Sequence, residues 1–278
     1  MAANHQTITA VDSHAHVFVR GLQLTSQPRH APDYDATLDQ YLALLHEHDV
    51  SHAVLVQPSF LGTDNSFMLD AIRAQPQRLR GVAVIGVDAG DDQLRALADG
   101  GIVGIRLNLI GQPIPDCKRP PWQRLLTRMR ELDWHVELHS ELHQLPPVGQ
   151  PVLDAGCKLV VDHFGRPGQA GGNGLDWLLN AGRCGRTWVK LSAGYRNWSD
   201  MNDPSACDAA QTLLDAFGAT RLVWGSDWPH TQHRAVANYA AACAALAKWV
   251  PDAAARRCIL IDTPARLFHF SPGDNHAK

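Results

Sequence analysis

Short apolar, β-branched runs alternate eight times with segments of helical period along this chain, and that alternation limits the fold more than any other feature. The runs are TITAVDSHAH (7 to 16), HAVLVQ (52 to 57), LRGVAVIG (79 to 86), IVGIRLNL (102 to 109), WHVELH (134 to 139), KLVVDHF (158 to 164), TWVKLSA (187 to 193) and RLVWGSD (221 to 227). Strands joined through helices pair in parallel, which favours βα units over a meander of hairpins. Thr37 with Gln40 three residues on forms a capping box, and Leu38, Tyr41, Leu42 and Leu45 repeat at the spacing of one buried helical face. Further helices are expected from about Ser66 to before Pro76, around Leu94 to Ala98, through Leu125, Leu126, Met129 and Leu132, around Leu175 to Leu179, through Leu213, Leu214 and Phe217, and from Val236 to Val250. Gly100, Gly101, Gly182 and Gly218 supply stop signals.

Eight such units in about 250 residues is the repeat count of the (β/α)8 TIM barrel. A single domain over 1–278 is expected, with strand one from about residue 7 and a helical tail from about 252 to 278. A doubly wound open sheet is the alternative, but no GxGxxG or GxxxxGK[ST] turn supports a nucleotide site.

Composition removes other classes. The 278 residues are 45% apolar and 19% charged, enough for a full core and too polar for disorder or a membrane span of about 18 apolar residues. The opening MAANHQTITAVDSHAH lacks the basic and apolar regions of a signal peptide, so a cytoplasmic protein is expected. Six cysteines without a CxxC pair suit reduced thiols. A net charge of −3 gives no bulk attraction to nucleic acid or anionic membrane, so an anionic partner must be held by a local site. Fifteen histidines, several inside apolar runs, do not read as solvated surface.

The irregular stretches 17 to 36, 110 to 121 and 165 to 174 follow strands, which places them at the barrel face where active sites are built. His14 and His16 end the first strand two residues apart, so alternation points both into the mouth. They suit one metal or one hydrogen-bonded substrate group, and a packed or surface pair stays open. The fifth strand ends at His139, the sixth at His163 and the eighth at Asp227. A helix N-cap before Pro229 is the alternative for Asp227, and a satisfied core histidine for His163. Arg106, Arg166 and Arg196 fall at or just beyond strand ends, where forked guanidinium groups suit carboxylates, with salt bridges as the alternative. Ser59 and Asn65 offer neutral hydrogen bonds. Glu137 and Lys190 point inward in phase with the site, and a buried ion pair lower in the barrel is equally open to them.

DSHAHVF at 12 to 18, VQPSFLGTDN at 56 to 65, GIRLN at 104 to 108, VDHFGRP at 161 to 167, WGSDWPHT at 224 to 231 and TPARLF at 263 to 268 together resemble the amidohydrolase superfamily, of the amidohydrolase 2 type. Within it they resemble the branch of the 2-pyrone-4,6-dicarboxylate lactonases. The resemblance implies a barrel hydrolase in which Asp227 is general base on the attacking water, while His14, His16 and His163 surround the ester carbonyl. Arg106, Arg166 and Arg196 match positions that hold substrate carboxylates. Two departures matter. Gln112 stands where the pattern has a further arginine, which weakens the case for a dicarboxylate. His139 replaces a tyrosine and completes a set, with His14, His16, His163 and Asp227, resembling metal sites elsewhere in the superfamily. Those ligands suit one Zn²⁺ or Mn²⁺ ion, whereas the lactonase resemblance implies no obligatory cofactor. The expected function is hydrolysis of a small anionic lactone, 2-pyrone-4,6-dicarboxylate-like or muconolactone-like. Alternatives are a metal-dependent decarboxylase of an aromatic or unsaturated acid, a sugar lactonase, and a barrel that only binds a small anion. No nucleic-acid or membrane partner is expected; monomer and homo-oligomer are both open.

Overall fold

The computed structural model describes residues 7–167 and 173–270. Eight parallel strands hydrogen-bond in sequence order: β1 (Val11–Ala15), β2 (His52–Val56), β3 (Leu79–Ala83), β4 (Ile102–Asn108), β5 (His135–His139), β6 (Lys158–Val161), β7 (Thr187–Ser192) and β8 (Leu222–Gly225). Helices α1 (Leu38–Glu47), α2 (Ser66–Ala74), α3 (Asp91–Asp99), α4 (Pro120–Glu131), α5 (Leu145–Asp154), α6 (Asn173–Ala181), α7 (Pro204–Phe217) and α8 (Tyr239–Trp249) follow the strands in turn. This is the expected (β/α)8 barrel. Among the described residues no helix is long and apolar enough to cross a membrane, and all six cysteines are unpaired.

Local chemistry explains the helix ends. The capping box at α1 is formed: Gln40 N–H donates to Thr37 Oγ1 at 3.3 Å, and Thr37 N–H to Gln40 Oε1 at 2.9 Å. Helix α5 is the element that start and stop signals do not mark, because LPPVGQPVLD reads as a breaker. Pro146 and Pro147 occupy its first turn, where a backbone N–H has no partner in any case, and Leu145, Val148 and Val152 bury one face. Helix α8 starts three residues later than the apolar pattern suggests. Asn238 caps it by accepting from Ala241 N–H at 2.8 Å, and Val236 lies exposed. The tail runs through α9 (Ala253–Arg257), a π turn (Cys258–Asp262) and α10 (Thr263–Leu267). The expected continuation to 278, and residues 168–172 of the expected 165 to 174 loop, lie outside the described residues.

Two layers of apolar contact frame the barrel. Strand residues facing outward pack on the helices, while inward-facing Val11, Val54, Val82, Val103, Val160 and Val223 form a floor that Leu267, Phe268 and Phe270 of the tail close from below. Above this floor the interior turns polar.

Strands β8 and β1 meet at a seam that carries both ends of the site. Asp227 N–H donates to the His14 carbonyl and His16 N–H to the Trp228 carbonyl, both at 2.8 Å. Beneath them the fully buried Asp12 carboxylate accepts from Ser226 N–H (2.8 Å), Ser226 Oγ–H (2.6 Å), Tyr41 O–H (2.8 Å) and His14 N–H (3.2 Å). Burial alone raises the Asp12 pKa, and these donors oppose the rise. The backbones run so close that a Cβ on Gly225 would meet His14 Cβ at 2.6 Å and its backbone N at 2.9 Å. Gly225→Ala is therefore expected to lower stability in urea by about 1 to 3 kcal/mol, the range of core overpacking, and to reduce activity by moving His14. Unchanged unfolding and turnover would show that the seam gives way freely.

Candidate active site

The floor of the site is a network of charges with almost no solvent contact. Lys190 Nζ donates to Glu137 Oε2 at 2.5 Å and lies 3.0 Å from His14 Nδ1 and 3.4 Å from Asp162 Oδ1. Arg106 donates to Asp162 Oδ2 through Nη2 (3.0 Å) and Nε (3.2 Å), and its Nη2 also reaches His139 Nδ1 at 3.1 Å. The strand register makes this possible, since Arg106 on β4 sits opposite Glu137 on β5. Burial pushes the Asp162 carboxyl up, but Lys190, His14 and Arg106 together hold it well below the usual carboxylate range. Glu137 and Lys190 thus form the buried ion pair that was open to them.

Above the network four side chains converge. The Nε2 atoms of His14, His16 and His163 lie 3.7, 3.8 and 3.9 Å from Asp227 Oδ1. Ring centroids are 5.0 Å apart for His14 and His16, 4.8 Å for His14 and His163, and 4.9 Å for His139 and His163. Asp227 Oδ2 is fully engaged, accepting from Tyr195 O–H at 2.5 Å and Arg196 Nε–H at 2.7 Å, whereas Oδ1 has no hydrogen-bond partner among the described residues. Burial raises the Asp227 pKa, yet Arg196 and then the imidazoles of His163, His14 and His16 outweigh it and hold the carboxyl well below its ordinary value.

Strand alternation is not what aims His163 and Asp227. Strands β6 and β8 stop two residues before His163 and Asp227, which sit in turns rather than on the last strand residues. Both have left-handed backbone, with φ of 52° and 60°, and Phe164, Arg166 and Ala193 share it. Side chains other than glycine's pay about 1 to 2 kcal/mol there, so the surrounding hydrogen bonds must hold the turns in place. Asn197 Nδ2–H on the His163 carbonyl at 3.0 Å is one of them.

Hydrogen bonding also fixes what two imidazoles present to the cleft. An arginine can only donate, so His139 Nδ1 accepts from Arg106 and its proton lies on Nε2, which has no other partner among the described residues. His16 is the reverse: Nδ1–H donates to the Val56 carbonyl at 2.7 Å, leaving a lone pair on Nε2. Burial, followed by nearby positive charge, lowers His16 to about 3 and puts His139 well below the usual histidine value; burial also holds His163 well below it, against the opposing pull of Asp227 and Asp162, so these three are neutral at pH 7.

The cleft above encloses about 460 Å³, its open mouth included, and is lined by Ser59, Arg106, His139, His163, Arg196 and Asp227 among others. His14 lies fully buried beneath it. Two of the residues singled out from sequence lie elsewhere. Arg166 is outside the lining, turned away by its left-handed backbone and bound to Glu141 Oε1 at 3.1 Å. Asn65 is buried in a loop, donating to the Thr63 and Val84 carbonyls at 2.9 Å and accepting from Val84 N–H at 3.1 Å. Gln112 is exposed and outside the lining. Asp162, Tyr195 and Arg29 belong to the site and were not singled out, although the first two directly precede His163 and Arg196 in sequence. Atoms able to ligate a cation converge in two overlapping sets, His14, His16 and Asp227, and His14, Asp162 and His163. His139, with its proton on Nε2, is in neither set.

Known proteins are similar to this chain over nearly its whole length. A 4-sulfomuconolactone hydrolase from Rhizobium radiobacter is 30% identical over 270 residues, covering 93% of this chain and 89% of its own. A 2-pyrone-4,6-dicarboxylate hydrolase from Comamonas testosteroni is 27% identical over 93% of this chain and 90% of its own. A protein from Acinetobacter baumannii, provisionally named a 2-pyrone-4,6-dicarboxylic acid hydrolase and solved with citric acid bound, superposes with a TM-score of 0.90 at 37% identity, over 95% of this chain and all of its own. Residues 11–270 match the amidohydrolase family from the first strand to the end of the described tail, and the chain belongs to that family.

Proposed function

We propose that the protein is a hydrolase that opens a lactone bearing a carboxylate, by water attack on the ring ester. One observation carries the reading: Asp227 turns a single unpartnered carboxylate oxygen towards the Nε2 atoms of three histidines, in a cleft whose wall is guanidinium. Relatives named as lactone hydrolases with acidic substrates support it.

Water held between Asp227 Oδ1 and the His16 Nε2 lone pair has both hydrogens accepted, so its oxygen lone pairs are free and one can attack the carbonyl carbon. As the new C–O bond forms, Asp227 Oδ1 takes one proton. The carbonyl oxygen becomes an oxyanion, which the His139 Nε2–H is placed to stabilise, with its orientation fixed by Arg106. Collapse breaks the ring C–O bond, and the proton on Asp227 passes to the departing ring oxygen. Tyr195 and Arg196 keep Oδ2 occupied, so Asp227 cannot rotate away. Arg196 is a positioning group for the carboxylate as well as part of the cationic wall.

His14, His16 and Asp227, with His163 beside them, fit a divalent cation by donor type and mutual distance. Such an ion would supply Lewis-acid polarisation of the water and carbonyl. The decarboxylase alternative needs that ion; a neutral sugar lactone would leave the guanidinium wall without an anion to pair with.

Three outcomes are expected. Asp227→Asn should lower kcat by about 10²-fold or more with circular dichroism unchanged; wild-type turnover would remove Asp227 from the base role. Chelation followed by metal analysis should leave turnover intact, because Arg106 and Arg196 already supply positive charge. Loss of turnover restored by Zn²⁺ or Mn²⁺ would transfer the polarising role to a metal. Finally, the base must be ionised and the imidazoles neutral. Asp227 lies well below its ordinary value, and His16, His139 and His163 below theirs, so the acid limb falls at low pH and kcat/KM should be flat from about pH 5 to about pH 8. A limb with its midpoint near the ordinary histidine value would show that one of these imidazoles titrates in the working range.

A further inference from the structure

The loop between β1 and α1 carries an arginine whose charge nothing described in the fold neutralises. Its base is closed by two backbone hydrogen bonds between Phe18 and Ala36, of 2.9 and 2.8 Å, and by Arg20 N–H donating to Asp35 at 2.7 Å. Midway it is tied down where Thr25 N–H donates to the Phe60 carbonyl at 2.9 Å, and the His30 ring lies edge-on to Phe60. Between these ties Arg29 enters the lining of the cleft, together with Ser59 and Arg106. It passes beside Gly111, within van der Waals reach: a Cβ added there would lie 3.9 Å from Arg29 Cδ.

Three guanidinium groups therefore line the cleft, and they are not equivalent. Arg106 is paired with Asp162 and Arg196 with Asp227. Arg29 makes no ion pair among the described residues. Its proton affinity is lowered, first by partial burial and then by the positive charges of Arg106, Arg196 and Arg166. An unneutralised fork beside two occupied ones is where an incoming anion gains most.

We propose that Arg29 forms a subsite for an oxyanionic group, carboxylate or sulfonate, at the outer end of the substrate. The cleft then prefers a lactone with two acidic groups over one with a single group. That statement of substrate class rests on the lactone-hydrolase reading; the subsite itself does not.

Calorimetric titration with probes that cannot be hydrolysed separates the two. Pyridine-2,4-dicarboxylate and 4-sulfopyridine-2-carboxylate carry two acidic groups, and pyridine-2-carboxylate carries one. Arg29→Met should weaken at least one of the dianions about tenfold or more while changing the monoanion little, and Arg29→Lys should recover part of the loss by keeping the charge without the fork. Loss confined to the sulfonate probe or to the dicarboxylate identifies which oxyanion the subsite takes. Equal weakening of all three probes, or of none, overturns the proposal. Arg29 lies exposed on a loop, so its removal does not threaten the barrel, and circular dichroism checks this. Turnover of lactones with one and two acidic groups is measured alongside. Arg29-dependent binding of dianions without cleavage of any lactone would leave the subsite standing and sink the hydrolase reading.

Discussion

Two cations and two carboxylates sit at the centre of this barrel, nearly out of reach of solvent, and the arrangement of the cleft rests on their mutual neutralisation. Taking one such ion out of water costs several kcal/mol, and removing a partner strands the other. Lys190, Glu137, Arg106 and Asp162 avoid that penalty because β4, β5, β6 and β7 bring alternating signs together at one level. Floor valines below and imidazoles above leave these charges no other partners, so their positions are set within narrow limits. A network held that firmly can serve as a datum from which other side chains take their bearings.

His139 and His14 take theirs directly. Arg106 decides which nitrogen of His139 carries hydrogen, and Lys190 abuts the inner nitrogen of His14. The cations are thus largely consumed in organising neighbours, and the imidazoles facing the cleft can remain neutral close to full charges. Neutral donors and acceptors in a mouth of low dielectric have fixed directions, whereas mobile charges would compete for the same water. Neutral imidazoles around Asp227 also explain why one carboxylate oxygen is left unpartnered: Arg196 and Tyr195 saturate its twin.

Much of this was legible in the chain, for local reasons. Eight runs of β-branched residues could satisfy their backbone only by pairing in parallel, and His14, His16, His163 and Asp227 end or follow those runs, so their convergence follows from topology. The capping box at Thr37 was likewise readable because its two hydrogen bonds span three residues. Other features depend on contacts between distant segments. Helix α5 hides behind prolines, of which two fall in its first turn and a third, Pro151, sits inside it. Arg166 occupies the right place in its motif and yet points away, since a left-handed turn aims it at Glu141. Asn65 was expected to meet substrate through its amide, but the neighbouring loop carbonyls claim it first. Arg29 had no motif to mark it at all; its place depends on how a loop is tied to Phe60.

The left-handed turns after β6 and β7 have a consequence for how this protein responds to selection. His163, Phe164 and Ala193 hold a backbone shape that glycine adopts without steric cost, so part of the fold's free energy is tied up in keeping side chains at those points. Exchange of His163 for glycine would relax the turn and delete a cleft imidazole in the same step. Relief of about 1 to 2 kcal/mol of turn strain is set against the loss of a fully buried ring and of its bond to Ser192, so packing and chemistry both hold the histidine in place. A laboratory search for hardier variants would keep His163 even if it never assayed catalysis.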